Sequence, residues 1–143
     1  MPTRKRSSKL TNHNHAVRLA SALGVVNDFA LVIEGNAVRK GFRKLKPKLN
    51  RATIATFIAN EHGELSERWE AFRAGNLMKP CDKAEKMKEL GLPALTCAEE
   101  EHADSIIRAL DSAKAHGIDI AKALAVKHVY NTTRPRKHGG KKA

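Results

Sequence analysis

Positive charge is gathered into three short segments of this chain, and that clustering limits which residues can build a folded body. The 143 residues carry a formal net charge of +12. Residues 1–15 hold Arg4, Lys5, Arg6 and Lys9 with no acid, and residues 132–143 hold Arg134, Arg136, Lys137, Lys141 and Lys142. Between Val38 and Arg51 lie Arg39, Lys40, Arg43, Lys44, Lys46, Lys48 and Arg51, again unopposed, which leaves −4 on everything else. Charge that served only solubility would be scattered; unopposed clusters repel themselves unless a polyanion neutralises them. The organisation expected is a basic disordered arm over 1–12, a single all-helical domain over 13–131 with a sub-boundary near 76–81, and a basic tail over 132–143.

Within that body the apolar spacing is helical. His13–Leu23 places Val17, Leu19, Ala20 and Leu23 on a first helix, and Asn27–Glu34 follows as a second. Phe29–Ile33 is dense enough in branched residues to read as a buried strand, but no second strand is available to pair with it, so helix is preferred. Gly35-Asn36 marks a boundary before Ala37–Leu45, where Val38, Phe42 and Leu45 share one face and Arg39, Lys40, Arg43 and Lys44 the other. Lys46-Pro47 stops that helix, because the residue before proline is pushed out of the α region. Asn50 is an N-cap for a helix to about Asn60. Beyond His62-Gly63, Glu64–Ala74 carries Leu65, Trp69 and Phe72 as a core stripe, with Gly75 as its C′ residue. Asp82 caps a charged helix to Leu90. Thr96-Cys97-Ala98-Glu99 is a capping box opening a helix to Ala115, with Ala103, Ile106, Ile107, Leu110 and Ala113 inward and Glu99, Glu100 and Glu101 complementing the dipole. Asp119 caps the last helix, Ile120–Tyr130. At 41% apolar but only 4% aromatic residues, the core of such a bundle must be aliphatic. The fold class expected is all-α, a small bundle of about six to seven helices with disordered basic termini.

Leu19-Ala20-Ser21-Ala22-Leu23-Gly24-Val25, continuing to Ile33, resembles the helix-turn-helix class of DNA-binding proteins. In that resemblance Gly24 takes the turn with φ > 0, Ala20 permits a close crossing, and the second helix enters the major groove. It covers only this stretch and names no specific family. Ile120–Val126 echoes the same pattern, but the positions that should then be apolar are Asn131 and Arg134, so a single amphipathic helix is preferred there.

Function is expected to follow charge. Arg39, Lys40, Arg43, Lys44, Lys46, Lys48 and Arg51 are the main candidate phosphate contacts, helped by Arg4, Lys5 and Arg6 in the arm and Arg134, Arg136 and Lys137 in the tail. Asp28 repels phosphate and no arginine is placed to read guanine, which weighs against sequence-specific readout by the second helix. Tyr130 and Trp69 are the obvious stacking platforms for single strands, with Trp69 assigned to the core. Cys81, Cys97, His102 and His62 have metal-binding atoms, but C-x15-C and C-x4-H match no compact zinc pattern, and no metal or cofactor is expected. No phosphate loop or nucleophile elbow argues for an enzyme. The two cysteines form no disulfide framework, and no apolar run approaches membrane-spanning length, so a cytoplasmic location is expected. The reading is a DNA-binding protein of bacterial or phage style acting in regulation, replication or packaging, with DNA favoured over RNA. The alternatives are a protein-interaction or self-associating module using the acidic stretch Glu85–Asp111, and an RNA- or ribosome-associated protein.

Overall fold

The computed structural model describes the backbone of residues 3–135 and the side chains of residues 10–135. Six helices account for the order: α1 Thr3–Ala22, α2 Gly24–Arg39, α3 Arg51–Arg73, α4 Ala84–Glu89, α5 Cys97–Ala115 and α6 Ile120–Thr132. The only extended pairing among the described residues is one isolated antiparallel bridge between Pro80 and Thr96. The protein is all-α, and Phe29–Ile33 lies inside a helix.

The core is small because it is lined by small residues. Along α2 a stripe of Val26, Ala30, Ile33 and Ala37 turns inward, meeting Leu110 of α5 and Ile120 at the start of α6. Ala121, Ala125 and Val129 recur every four residues on the buried face of α6, which lies along α1. Alanines at such positions bring helix axes close together, so contact is gained by approach rather than by bulk. The α1–α2 junction is fastened to the start of α6: the Asn27 side chain donates to Asp119 at 2.9 Å and accepts the Ala121 N–H at 3.2 Å. With the end of α1 at the start of α6, the two helices run antiparallel.

Several local expectations are revised. α1 begins at Thr3, so residues 3–12, expected as a disordered arm, continue the helix. Gly24 is the first residue of α2 and has no positive φ; the break is the single residue Leu23, and the chain bends by 44° there. That is shallower than the ~90–120° of helix-turn-helix crossings. Gly35 and Gly63 both lie within helices. Each costs about 1 kcal/mol relative to alanine, less than the packing that carries α2 and α3 across them. α3 is therefore one helix of 23 residues rather than a hairpin.

The expected basic helix Ala37–Leu45 is absent. α2 stops at Arg39 in a Schellman arrangement: Phe42 N–H bonds Ala37 C=O, Gly41 N–H bonds Val38 C=O, and Gly41 takes φ +77°. Only a residue without Cβ adopts that conformation cheaply. Lys40–Asn50 is consequently a loop, and Phe42 and Leu45, expected in the core, are exposed. α4 is shorter than expected, and its N-cap is Lys83 rather than Asp82.

Caps at the other boundaries form as expected. Asn50 and Thr53 close a reciprocal box at α3. Thr96 and Glu99 close another at α5, where the Thr96 N–H donates to Glu99 Oε2 at 2.8 Å. Asp119 accepts the Lys122 N–H at 3.0 Å to open α6. No single helix among the described residues is long and apolar enough to cross a membrane; the bent pair Leu10–Ala22 and Gly24–Arg39 meets that test of length and composition only when taken together.

Candidate nucleic-acid interface

The loop between α2 and α3 carries the densest charge, and one of its residues is unlike the rest. Arg43 turns inward, its side chain 8% exposed. Its Nε donates to Asp111 Oδ1 at 2.9 Å, its Nη2 reaches Glu34 Oε1 at 3.2 Å, and its Nη1 donates to Lys44 C=O at 3.0 Å. One guanidinium thus joins α2, α5 and the backbone of its own loop. Burial opposes its charge, but the hydrogen bonds to Asp111 and Glu34 outweigh that and hold it above its ordinary value. Arg43 is a staple, and it leaves the set of phosphate contacts assigned from sequence.

That staple presents the rest of the loop. Arg39, Lys40, Lys44, Lys46, Lys48 and Arg51 are all exposed, and none forms an ion pair among the described residues. Arg39 ends α2 and donates to Asn36 Oδ1 at 3.0 Å. Arg51 is the first residue of α3, where its charge adds to the positive end of the helix dipole instead of offsetting it. Beneath the loop lies a cleft of about 180 Å³ bounded by Phe42, Pro47, Thr56, Phe57, Asn60 and Arg108. It is smaller than the roughly 300–1,000 Å³ usual for a small-molecule site.

A second basic locus sits at the far end of the molecule. Arg4, Lys5 and Arg6 lie in the first turns of α1, and α6, antiparallel to it, runs towards that end and is followed by exposed Arg134. Arg136 and Lys137 lie outside the described residues. With helices of 20 and 16 residues joined at 44°, the two basic loci are about 50 Å apart at 1.5 Å rise per residue.

Aromatic residues divide by their surroundings. Trp69 is 59% exposed and stacked on Phe72 at 5.3 Å, so its assignment to the core is corrected. Glu67 and Glu70 flank it in sequence, a poor setting for a phosphate chain. Tyr130 on α6 is also exposed, and the Lys127 ammonium lies 5.1 Å from its ring centre.

The acids of α5 are the feature that sequence reading missed. Glu100 and Glu101, expected at a solvated first turn, are buried, while Ala103, Ile106 and Ile107, expected inward, are exposed. The register differs because α5 turns its Glu101, Asp104 and Arg108 side towards α3. Arg108 Nε donates to Glu64 Oε1 at 2.7 Å across the seam, and Lys83 covers Glu100. Burial first, then Glu67, Glu100 and Glu64, pushes the Glu101 carboxyl up; burial and then Glu64 does the same to Asp104. An i, i+3 pair on each helix, Glu64/Glu67 and Glu101/Asp104, was visible as a spacing, but only the packing of α3 on α5 gave it meaning.

Cys81 and Cys97 are unpaired thiols on either side of the Pro80–Thr96 bridge. Burial pushes the Cys81 thiol up, away from the thiolate that a metal would require. His102 Nε2 faces an Arg68 guanidinium nitrogen at 2.9 Å and its Nδ1 faces Ala98 C=O at 2.7 Å, so both ring nitrogens are engaged.

The class that fold and surface define is a small all-α protein whose loop between α2 and α3 displays exposed cations. No known protein family, curated protein or solved structure matches the chain.

Proposed function

We propose that this protein binds nucleic acid, with duplex DNA favoured, through phosphate contacts in regulation, replication or packaging. The observation that carries this reading is the loop Lys40–Asn50 with the first residue of α3, where Lys40, Lys44, Lys46, Lys48 and Arg51 stand exposed without acidic partners while Arg43 anchors the loop from beneath. A fixed loop presents its charges in one arrangement, so less ordering entropy is lost on binding than with a free arm. Arg4, Lys5, Arg6 and Arg134 form the second contact, and a separation of about 50 Å corresponds to roughly 15 base pairs at 3.4 Å per step. The bent α1–α2 pair serves as the beam between the loci. Arg136 and Lys137 extend the second contact by charge alone.

The test is anisotropy of a labelled ~20-bp duplex titrated between about 50 and 200 mM salt. Replacing Lys40, Lys44, Lys46 and Lys48 by glutamine is expected to reduce the magnitude of the log–log salt slope by about 3–4, at ~0.9 per phosphate contact. A slope equal to that of the wild type sinks the loop as the contact surface. Equal weakening across unrelated duplex sequences is expected, because phosphate contacts carry no base information.

A second reading rests on a different observation. Among the described residues no large side chain is fully buried, whereas Phe29, Val32, Ile58, Leu65, Trp69 and Phe72 all stand at least half exposed or nearly so. That much apolar surface favours a protein partner or a second copy. Sedimentation of the nuclease-treated protein separates the readings: a discrete oligomer without nucleic acid supports assembly through these faces.

A further inference from the structure

Where α3 packs on α5, the geometry points to a hard divalent cation site held by Glu64, Glu67 and Glu101. Glu64 and Glu67 are three apart on α3 and so share a face. Glu101 approaches them from α5. One carboxylate oxygen from each of the three lies within 4.8 Å of the other two. Ligands on opposite sides of one Mg2+, Mn2+ or Ca2+ ion are themselves about 4–5 Å apart, so small side-chain rotations bring all three onto one centre.

Clustered acids alone would say little, but Glu101 supplies a separate reason. The residue is 8% exposed, and its Oε2 has no hydrogen-bond partner; the Ser105 hydroxyl, one turn along the same face, has none either. A buried acceptor left without a partner costs about 1–3 kcal/mol, more when charged. Nearby positive charge does not serve it: Arg108 is spent on Glu64, and Lys83 on Glu100. Glu64, Glu67, Glu101 and Asp104 thus share one guanidinium, Arg108, and the Lys83 ammonium that is already bonded to Glu100, a deficit that a divalent ion makes good. Glu67 stays exposed, which leaves the cation a route in from solvent.

The donor set selects the ion. All three ligands are carboxylate oxygens with neither sulfur nor imidazole, the preference of Mg2+, Mn2+ and Ca2+ and not of zinc or copper. The neighbouring group Cys81, Asp82 and Glu100 is a weaker candidate. There the Lys83 ammonium already occupies Glu100.

The probe is Mn2+ alone, added to the full chain without nucleic acid and followed by the loss of its free-ion paramagnetic resonance signal. One Mn2+ per chain is expected, displaced by excess Mg2+ or Ca2+, with binding weakened at least tenfold in Glu101→Gln and in Glu67→Gln. Glu85→Gln, at an exposed residue of α4, should bind as the wild type does. Glu67 is exposed, so Glu67→Gln leaves packing intact and decides the matter even if Glu101→Gln unfolds. No saturable binding in the wild type, or undiminished binding in Glu67→Gln, overturns the site. Because the readout needs no nucleic acid, its failure is distinct from failure of the DNA-binding reading.

Discussion

The two halves of α5 bury charge in opposite ways. Towards its C-terminus, Leu110 and Ala113 pack against α2, and beside them one guanidinium meets two carboxylates, Arg43 between Glu34 and Asp111. Towards its N-terminus, Glu101 and Asp104 face Glu64 and Glu67 across the α3 seam, where Arg108 is paired with Glu64 and Lys83 with Glu100. Hydrogen bonds close the first arrangement internally. The second has an acceptor without a partner and an excess of negative charge. A fully satisfied buried network rigidifies the packing around it, whereas a buried polar group without a partner is costly; at the α3 seam the proposed cation would meet that cost.

The largest way to break the closed half is Leu110→Ala. Removing one of the two large side chains of the buried cluster is expected to cost about 2–5 kcal/mol, read from urea denaturation. Next comes Arg43→Met, expected to cost about 3 kcal/mol because Asp111 loses its cation and Glu34 keeps only the longer contact to Lys114 at 4.0 Å. Adding Glu34→Gln and Asp111→Asn to that variant should recover most of the loss. A variant that stays equally unstable would falsify the idea that uncompensated charge is the cause.

The open half should respond with the opposite sign. Without divalent ions, Glu101→Gln removes a buried charge held among like charges, and the melting midpoint is expected to rise. With Mn2+ present the wild type should gain and the variant should not, as binding to the folded state alone requires. Smaller still is the effect of the four exposed loop lysines. Their glutamine variant should keep its stability within about 0.5 kcal/mol, as surface changes do, while its duplex affinity falls. That contrast between Arg43 and its neighbours separates the anchor from the contacts.

The smallest expected effect concerns acid. Asp119 is held below the usual carboxylate range by the Asn27 side chain and then by the Lys122 N–H. Its contribution to stability is therefore complete above the unfolded value near 3.9 and is lost as pH falls through its lowered folded value. Asp119→Asn should lower the neutral plateau of a stability–pH profile slightly and leave stability below the folded value of Asp119 unchanged, so that the acid limb becomes shallower.

Chain order alone determined the all-α class and the boundaries set by local chemistry. Asn50, Thr96 with Glu99, and Asp119 each cap a helix because a short side chain reaches an N–H two or three residues on, a contact no distant residue need permit. Gly75 and Gly117 end helices for the same local reason, taking positive φ where other residues are strained. The clustering of cations between Arg39 and Arg51 was legible too, as was the candidacy of most of its members for phosphate contact.

Tertiary structure decided which side of each helix matters. Gly35 and Gly63 read as breaks because their intrinsic cost favours one, yet packing on either side carries both helices through. Gly41, three residues beyond Val38, became the real stop and converted a supposed basic helix into a loop. Arg43 carries the same charge as Lys44, and only Glu34 and Asp111, 9 and 68 residues away, draw it inward. Glu101 sits in a first turn where acid is ordinarily solvated; the approach of α3 buried it. Caps and turns are settled within a few residues, whereas the partner of a charge is chosen by the fold.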